Sequence, residues 1–353
     1  MAATQLNTQM AIKRNPRVST PKHYITIVFG MWLIGGIFVD GYAHNHGVVE
    51  TFFTPWHAIL YSGFIASAIW MTWLLYLSRR ATGLPWLQAA PIGYGLGLVG
   101  VVVFLAGGVG DMIWHIVFGI EQDTAALLSP THLVLLVGAV LILSSPYRAE
   151  WHNKESKEPR WREFAPPFLS VVITMGAASF FLMYAWMFRF NLSAQPVVDW
   201  YWSTFSNEHI IEVNETRGLT YTLLDTILYM FPILLLMKRW KLPFGAIMAL
   251  FAIITIMMNV LDGFEGWRTI LVAMAAGLIG DLVYHGLRPY EGRMWAYRVV
   301  AFITPVALWT IYYIWMFMLT GIGWSVELWT GSVVEAGLVS LGLSVLALSP
   351  KRE

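Results

Sequence analysis

The sequence predicts an all-α fold: a polytopic transmembrane helical bundle of about ten spans, with both termini cytoplasmic. Three observations predict it. Hydrophobic residues make up 57% of the 353 and charged residues only 12%, far from the composition of soluble domains. Apolar runs recur near the roughly 20 residues that a bilayer crossing requires. Of the 22 Lys and Arg residues, all but Arg189, Arg217 and Arg268 fall on the side of the amino-terminal arm. The positive-inside rule makes that side the cytoplasm.

Residues 1–22 form a basic arm (Lys13, Arg14, Arg17, Lys22) without the apolar core and cleavage site of a signal peptide. Spans are expected over 23–43, 54–78, 91–118, 130–147, 166–190, 217–237, 243–261, 268–287, 295–320 and 328–348. The first four, within 23–147, read as tandem helical hairpins. Residues 148–165 read as a solvated cytoplasmic connector, and 166–353 as a second helical half. Trp56, Trp86, Trp151, Trp161, Trp202, Trp240 and Trp324 lie near span ends, where aromatic belts anchor a protein in the interface. Glycines at 93, 95, 97, 100, 107, 108 and 110 permit close helix approach. None is followed by a Walker-type lysine, so no phosphate loop is expected. His23 and His152 fall on the cytoplasmic side and read as solvated.

The chain has no cysteine, which excludes disulfides, thiolate metal sites and iron–sulfur clusters. Any metal must be held by histidine, carboxylate, methionine or backbone oxygen. One motif supplies such groups twice. Asp40-x3-His44 precedes Glu50 and Thr54-Pro55-Trp56-His57; Asp111-x3-His115 precedes Glu121 and Ser129-Pro130-Thr131-His132. Asp and His four apart share a helix face. Proline suits the first turn of the next helix, and Thr54 or Ser129 suits its N-cap. Each hairpin would thus bring its acid and two histidines together at the outer face.

Unpaired ionisable groups are costly in a membrane, and a first-row metal ion bound by carboxylate and imidazole would compensate them. The expected ligands are Asp40, His44, His57, Asp111, His115 and His132. Supporting or relay roles fall to His46, Glu50, Glu121, His209, Glu212, Asp225 and Glu335. Glu208, His209, Glu212 and Glu215 make a polar outer loop. Asp281-x3-His285 repeats the spacing on an inner helix end, without a following Pro-x-His, and reads as coincidence.

The Asp40-x3-His44-x12-His57 spacing resembles the metal motif in the membrane C subunit of copper membrane monooxygenases, the particulate methane and ammonia monooxygenase family. The resemblance implies Asp40, His44 and His57 as copper ligands. The second copy departs from it, with sixteen residues between His115 and His132. The matching stretch is some eighteen residues long, and no cupredoxin-like domain is present. A complete monooxygenase would therefore need partner chains.

The functional expectation is a bacterial plasma (inner) membrane metalloprotein with an outer-face site, copper leading, and zinc or iron as alternatives. It would act as a redox enzyme or enzyme subunit on a small apolar substrate arriving from the lipid bilayer. Other membrane subunits, an extracytoplasmic electron or metal donor, and a second copy of the chain are the expected partners; nothing points to nucleic acid. Alternatives are a metal or proton-coupled transporter using Asp225, Glu335 or Asp281/His285, and a structural subunit of a membrane complex. A haem protein, with His57/His132 or His44/His115 as axial ligands, suits the accompanying aspartates less well.

Overall fold

The computed structural model describes residues 16–47, 54–119, 123–153, 158–205, 208–290 and 292–348, and no strand forms among them. The helices are α1 (Thr20–Asn45), α2 (Pro55–Thr82), α3 (Gly95–Phe118), α4 (Asp123–Leu128), α5 (Pro130–Leu143), α6 (Ser145–Trp151), α7 (Trp161–Phe181), α8 (Met187–Phe190), α9 (Gln195–Phe205), α10 (Glu208–Arg239), α11 (Ala246–Val260), α12 (Arg268–Leu287), α13 (Met294–Leu319) and α14 (Val326–Ala347). Eight of them (α1, α2, α3, α7, α10, α12, α13, α14) are long and apolar enough to cross a membrane. The protein is an all-α polytopic membrane bundle.

Three predicted spans depart from a single long helix, and the 166–190 span is one: α7 ends at Phe181, and a 3-10 turn (Met183–Ala185) and the short α8 follow it. The 130–147 span is broken into α5 and α6, bent by 42°. Pro146 lacks the N–H that would continue the ladder. Arg148 reaches back into the gap, donating to the Leu141 carbonyl and Ser144 Oγ (both 2.6 Å) and to the Gly93 carbonyl (3.1 Å). The 243–261 span is α11, an apolar helix of 15 residues.

Contacts divide the chain into two compact units, 1–155 with 160–181, and 156–159 with 182–353. The boundary therefore falls after α7 rather than at the expected connector. The reason is packing, because α7 lies against α1, α5 and α6.

In the first unit the hairpin duplication extends into the packing. A Cβ on Gly36 would stand 2.5 Å from Leu60 Cα, and one on Gly63 would stand 2.6 Å from Leu33 N. In the second hairpin a Cβ on Gly107 would meet Leu135 Cγ at 3.1 Å, and one on Gly138 would meet Phe104 N at 2.7 Å. Both hairpins thus place a glycine four residues before the Asp, against the residue three beyond the second His. Both place another glycine six residues after that His, against the residue seven before the Asp. Backbone-to-backbone approach at small residues is how membrane helices gain contact without a hydrophobic driving force.

The opposite end of this unit corrects the reading of His23 and of the connector. His23 is 1% exposed, its Nε2 3.1 Å from Glu150 Oε1 and its Nδ1 2.9 Å from the Tyr94 hydroxyl. Thr26 Oγ1 joins Tyr94 at 3.0 Å and accepts from the Trp70 indole at 3.0 Å. His152 is the exposed one, its Nδ1–H donating to the Arg148 carbonyl at 2.7 Å.

Many buried polar groups of the second unit pair with one another, as hydrocarbon surroundings favour, although Ser193 Oγ, Asn214 Nδ2, His285 Nε2 and Ser340 Oγ meet no partner in hydrogen-bonding geometry among the described residues. Trp309 donates to Thr226 at 2.7 Å, and the Tyr229 and Thr255 hydroxyls lie 2.6 Å apart. Arg189 pairs with Asp262 at 3.0 Å. Asp281 is fully buried and accepts from the backbone N–H groups of Ile247 (3.2 Å) and Met248 (2.9 Å). The third Asp-x3-His is thus a cap on the first turn of α11, whose orphan donors need an acceptor. Asp281→Ala is expected to destabilise the protein by about 1–3 kcal/mol, the cost of stranding buried donors, while Glu327→Ala on an exposed first turn leaves stability nearly unchanged. Thermal unfolding in one detergent reads the difference.

Candidate metal centre

Four helix ends build the site. The antiparallel hairpins bring the carboxyl ends of α1 and α3 beside the amino ends of α2 and α5. Thr54 and Ser129 cap α2 and α5 as expected, each side chain accepting from a histidine backbone N–H, His57 or His132, at 3.3 Å. Pro55 and Pro130 open those helices. Each cap therefore fixes the backbone of the histidine it serves.

Asp111 is the centre of the second copy. It is 3% exposed, with His132 Nε2 3.0 Å from Oδ1 and His115 Nε2 3.4 Å from Oδ2. Thr131 Oγ1 donates to Oδ1 at 3.0 Å. Ligand atoms of Asp111, His115 and His132 all lie within 4.8 Å of one another, the one three-residue group of this kind among the described residues. Two atoms each about 2.1 Å from one ion can stand no more than about 4.2 Å apart. Three atoms sharing an ion stand closer still, at roughly 3.4–3.6 Å in tetrahedral or trigonal geometry, so binding would draw the three side chains inward.

The His115 ring shows why a cation suits this place. Its Nδ1 lies 3.3 Å from the Gly119 carbonyl, which can only accept, so Nδ1 carries the proton. In neutral imidazole Nε2 then presents a lone pair, and it faces the Asp111 carboxylate. Two acceptors in that position repel unless a proton or a metal ion lies between them. The backbone bond to the distal nitrogen is the outer support that metal-binding histidines commonly have.

The first copy is assembled differently. His57 Nε2 lies 3.3 Å from Asp40 Oδ1, but His44 does not complete a three-ligand group. Asp40 Oδ1 is buried and meets no donor in hydrogen-bonding geometry among the described residues. A buried carboxylate oxygen left so is unusual. The two copies nonetheless form one cluster. Asp40 lies within electrostatic reach of His132, Asp111 and His115, and His44 within reach of His57, His132 and His115. The copy whose spacing resembles the monooxygenase motif is thus the more open one, and the longer-spaced copy is the one that closes.

Sequence reasoning passed over Tyr61. It stands four residues after His57, on the same helix face, and lies within electrostatic reach of both Asp40 and Asp111. A Cβ on Gly108 would come within 3.0 Å of its ring, so the tyrosine fills the space between the hairpins. Thr131, between the proline and histidine of the second motif, was also legible as a hydroxyl beside the site.

The supporting residues divide. His46 is exposed, donates from Nδ1 to the Tyr42 carbonyl at 2.7 Å and stacks on the Tyr42 ring. Glu50 and Glu121 lie outside the described residues. His209 and Glu212 belong to the second unit, on the first turns of α10 rather than on a loop, and form an exposed pair at 3.2 Å. Asp225, 1% exposed, accepts from the Met187 backbone N–H at 2.8 Å, a structural use. Glu335 is exposed on α14.

Fold and site together define a polytopic helical membrane protein carrying a clustered Asp/His group at one end of a duplicated hairpin. The chain matches no protein-family model, no curated protein and no solved structure.

Proposed function

We propose that this protein is a membrane metalloprotein whose first unit binds a transition metal through Asp111, His115 and His132. Asp40, His44 and His57 would supply a second, adjacent position. The observation that carries the reading is the Asp111 carboxylate faced by two imidazole Nε2 atoms on its two oxygens, one of those rings being turned by the contact of its Nδ1 with the Gly119 carbonyl. Carboxylate with two imidazoles suits first-row metals without selecting one. Copper leads because of the motif resemblance; zinc and iron share the donor set.

The redox reading follows from copper. Bound there, copper would supply one-electron and oxygen chemistry. The chain's own residues would hold the ligands at a partly exposed lip, with Thr131 and the Gly119 carbonyl orienting them and Tyr61 excluding water between the hairpins. A small apolar substrate would reach the lip through the bilayer, and an extracytoplasmic or membrane partner would deliver electrons. Under the positive-inside rule the lip faces away from the cytoplasm of a bacterial plasma membrane. A transport path is less well supported, since Asp225 and Asp281 are both engaged by backbone N–H groups.

Electron paramagnetic resonance of the copper-loaded protein in nanodiscs tests this reading. The expected spectrum shows imidazole nitrogen coupling that weakens in His115→Ala and again in His132→Ala. A spectrum indifferent to both substitutions would sink the assignment. Oxygen uptake with small alkanes or alkenes then separates a redox enzyme from a metal carrier.

A further inference from the structure

The first unit carries a second feature, an open apolar groove on α1 and α2, lined by none of the Asp/His cluster residues. A groove of about 710 Å³ runs between Phe29 of α1 and the Ala66–Tyr76 stretch of α2, ending at Trp86. That volume lies within the roughly 300–1,000 Å³ typical of small-molecule sites. Its walls are aromatic. Phe29 meets Trp70 edge-on at 6.3 Å, and Trp73 stacks with Tyr76 at 5.3 Å. The Trp70 indole N–H is already engaged by Thr26, so the ring offers the groove an apolar surface. Small residues, Ala66 and Ala68, keep the floor open.

One end of the groove is cationic. The Arg79 guanidinium lies 4.5 Å above the Trp86 ring, and Arg80 follows it at the exposed carboxyl end of α2. Neither has a carboxylate partner among the described residues. The adjoining turn carries Leu87 at 99% exposure beside Trp86 at 47%. An exposed leucine adjoining the tryptophan on which Arg79 stacks has the character of an interfacial anchor, in which apolar groups dip into the acyl region while charges stay at headgroup level.

We propose that this groove is a binding site for one anionic phospholipid. An acyl chain would lie along Phe29, Trp70 and Trp73, and the headgroup phosphate would meet Arg79 and Arg80. Guanidinium forks match phosphate oxygens and stack on aromatic rings at the same time. The apolar walls alone would accept any acyl chain; the arginine pair gives the site its preference for negative charge.

The test uses the full chain, delipidated in a mild detergent and titrated with phosphatidylglycerol or phosphatidylcholine of identical chains, read by native mass spectrometry. One phosphatidylglycerol per chain is expected to bind roughly thirtyfold tighter than phosphatidylcholine, as two basic side chains at an anionic surface imply. The Arg79→Gln/Arg80→Gln double variant should lose that preference while retaining weak binding of both lipids. Ala66→Leu, which fills the floor, should weaken both. These arginines are exposed, so the double variant should elute and unfold like the parent. Equal affinity for the two lipids in the parent protein would overturn the site. So would a preference that survives the double variant, or inorganic phosphate competing as well as the lipid does. Metal content should not change in any of these variants, which keeps the test separate from the Asp/His cluster.

Discussion

Asp111→Asn is expected to abolish tight metal binding while leaving the fold intact. Asparagine keeps the shape, and Thr131 can still donate to its carbonyl. What it removes is the charge and the second strong acceptor that His115 and His132 face at 3.4 and 3.0 Å. Losing only an outer hydrogen-bond partner of a metal ligand costs roughly 10–100-fold in affinity, so losing the ligand itself should cost at least about 100-fold. Competition titration with a chromophoric chelator measures this directly. Stability should move the other way. A buried carboxylate without a cation is a burden in a membrane, so the metal-free variant should unfold no earlier than the metal-free parent. Added metal should raise the parent's unfolding temperature by mass action and leave the variant's unchanged. If both respond alike, Asp111 is not a ligand.

The second large effect is expected at Gly36. A Cβ there would stand 2.5 Å from Leu60 Cα and 2.6 Å from its N, contacts that no rotamer change relieves. Gly36→Leu should therefore separate α1 from α2 and cost at least about 3 kcal/mol, the upper range for overpacking. Gly35 is the internal control, because a Cβ there meets nothing within 4 Å. Gly35→Leu should express and unfold like the parent. Gly36 lies one turn from Asp40, so the damaging variant should also disturb the Asp40–His57 pair before it disturbs the Asp111 group. Proteolysis in membranes and unfolding in detergent both separate the two substitutions. Equal tolerance at 35 and 36 would contradict the packing described for this hairpin.

Much of this was readable in the chain because hydropathy and capping act locally. The apolar runs give the helices, Pro55 and Pro130 set two starts, and the caps at Thr54 and Ser129 form as their positions imply. Asp111, His115 and His132 come together for the same reason: one residue pair on a helix face and one histidine fixed in the next first turn. What local signals did not reveal depends on which helix lies alongside. His23 looks like a solvated arm residue until Tyr94 and Glu150 close over it. Asp281-x3-His285 has the metal spacing but faces the free N–H groups of α11, so its carboxylate is engaged before any ion competes. The break after Leu143 depends on Pro146 and on Arg148 reaching back, and neither interrupts the apolar run that marks the span. The unit boundary after Phe181 is likewise a matter of packing, since α7 has the composition of any other span.

The glycine pattern lies between these cases. Gly36 and Gly107 precede their aspartates by four residues, and Gly63 and Gly138 follow their histidines by six. The duplication was visible in the polar residues and extends through the glycines. Its meaning needed the contacts, because the same spacing on non-facing helix surfaces would signify nothing.

The most direct test of the central claim is the metal content of the purified protein in nanodiscs, by elemental mass spectrometry, beside a His57→Ala/His132→Ala variant. About one or two equivalents of a first-row metal in the parent, lost in the variant, is the predicted result. Copper would carry the redox reading forward, and zinc would redirect it to a hydrolytic, structural or transport role. No metal in the parent after metal-replete growth and reconstitution would contradict the account and leave the Asp/His cluster as a polar helix contact.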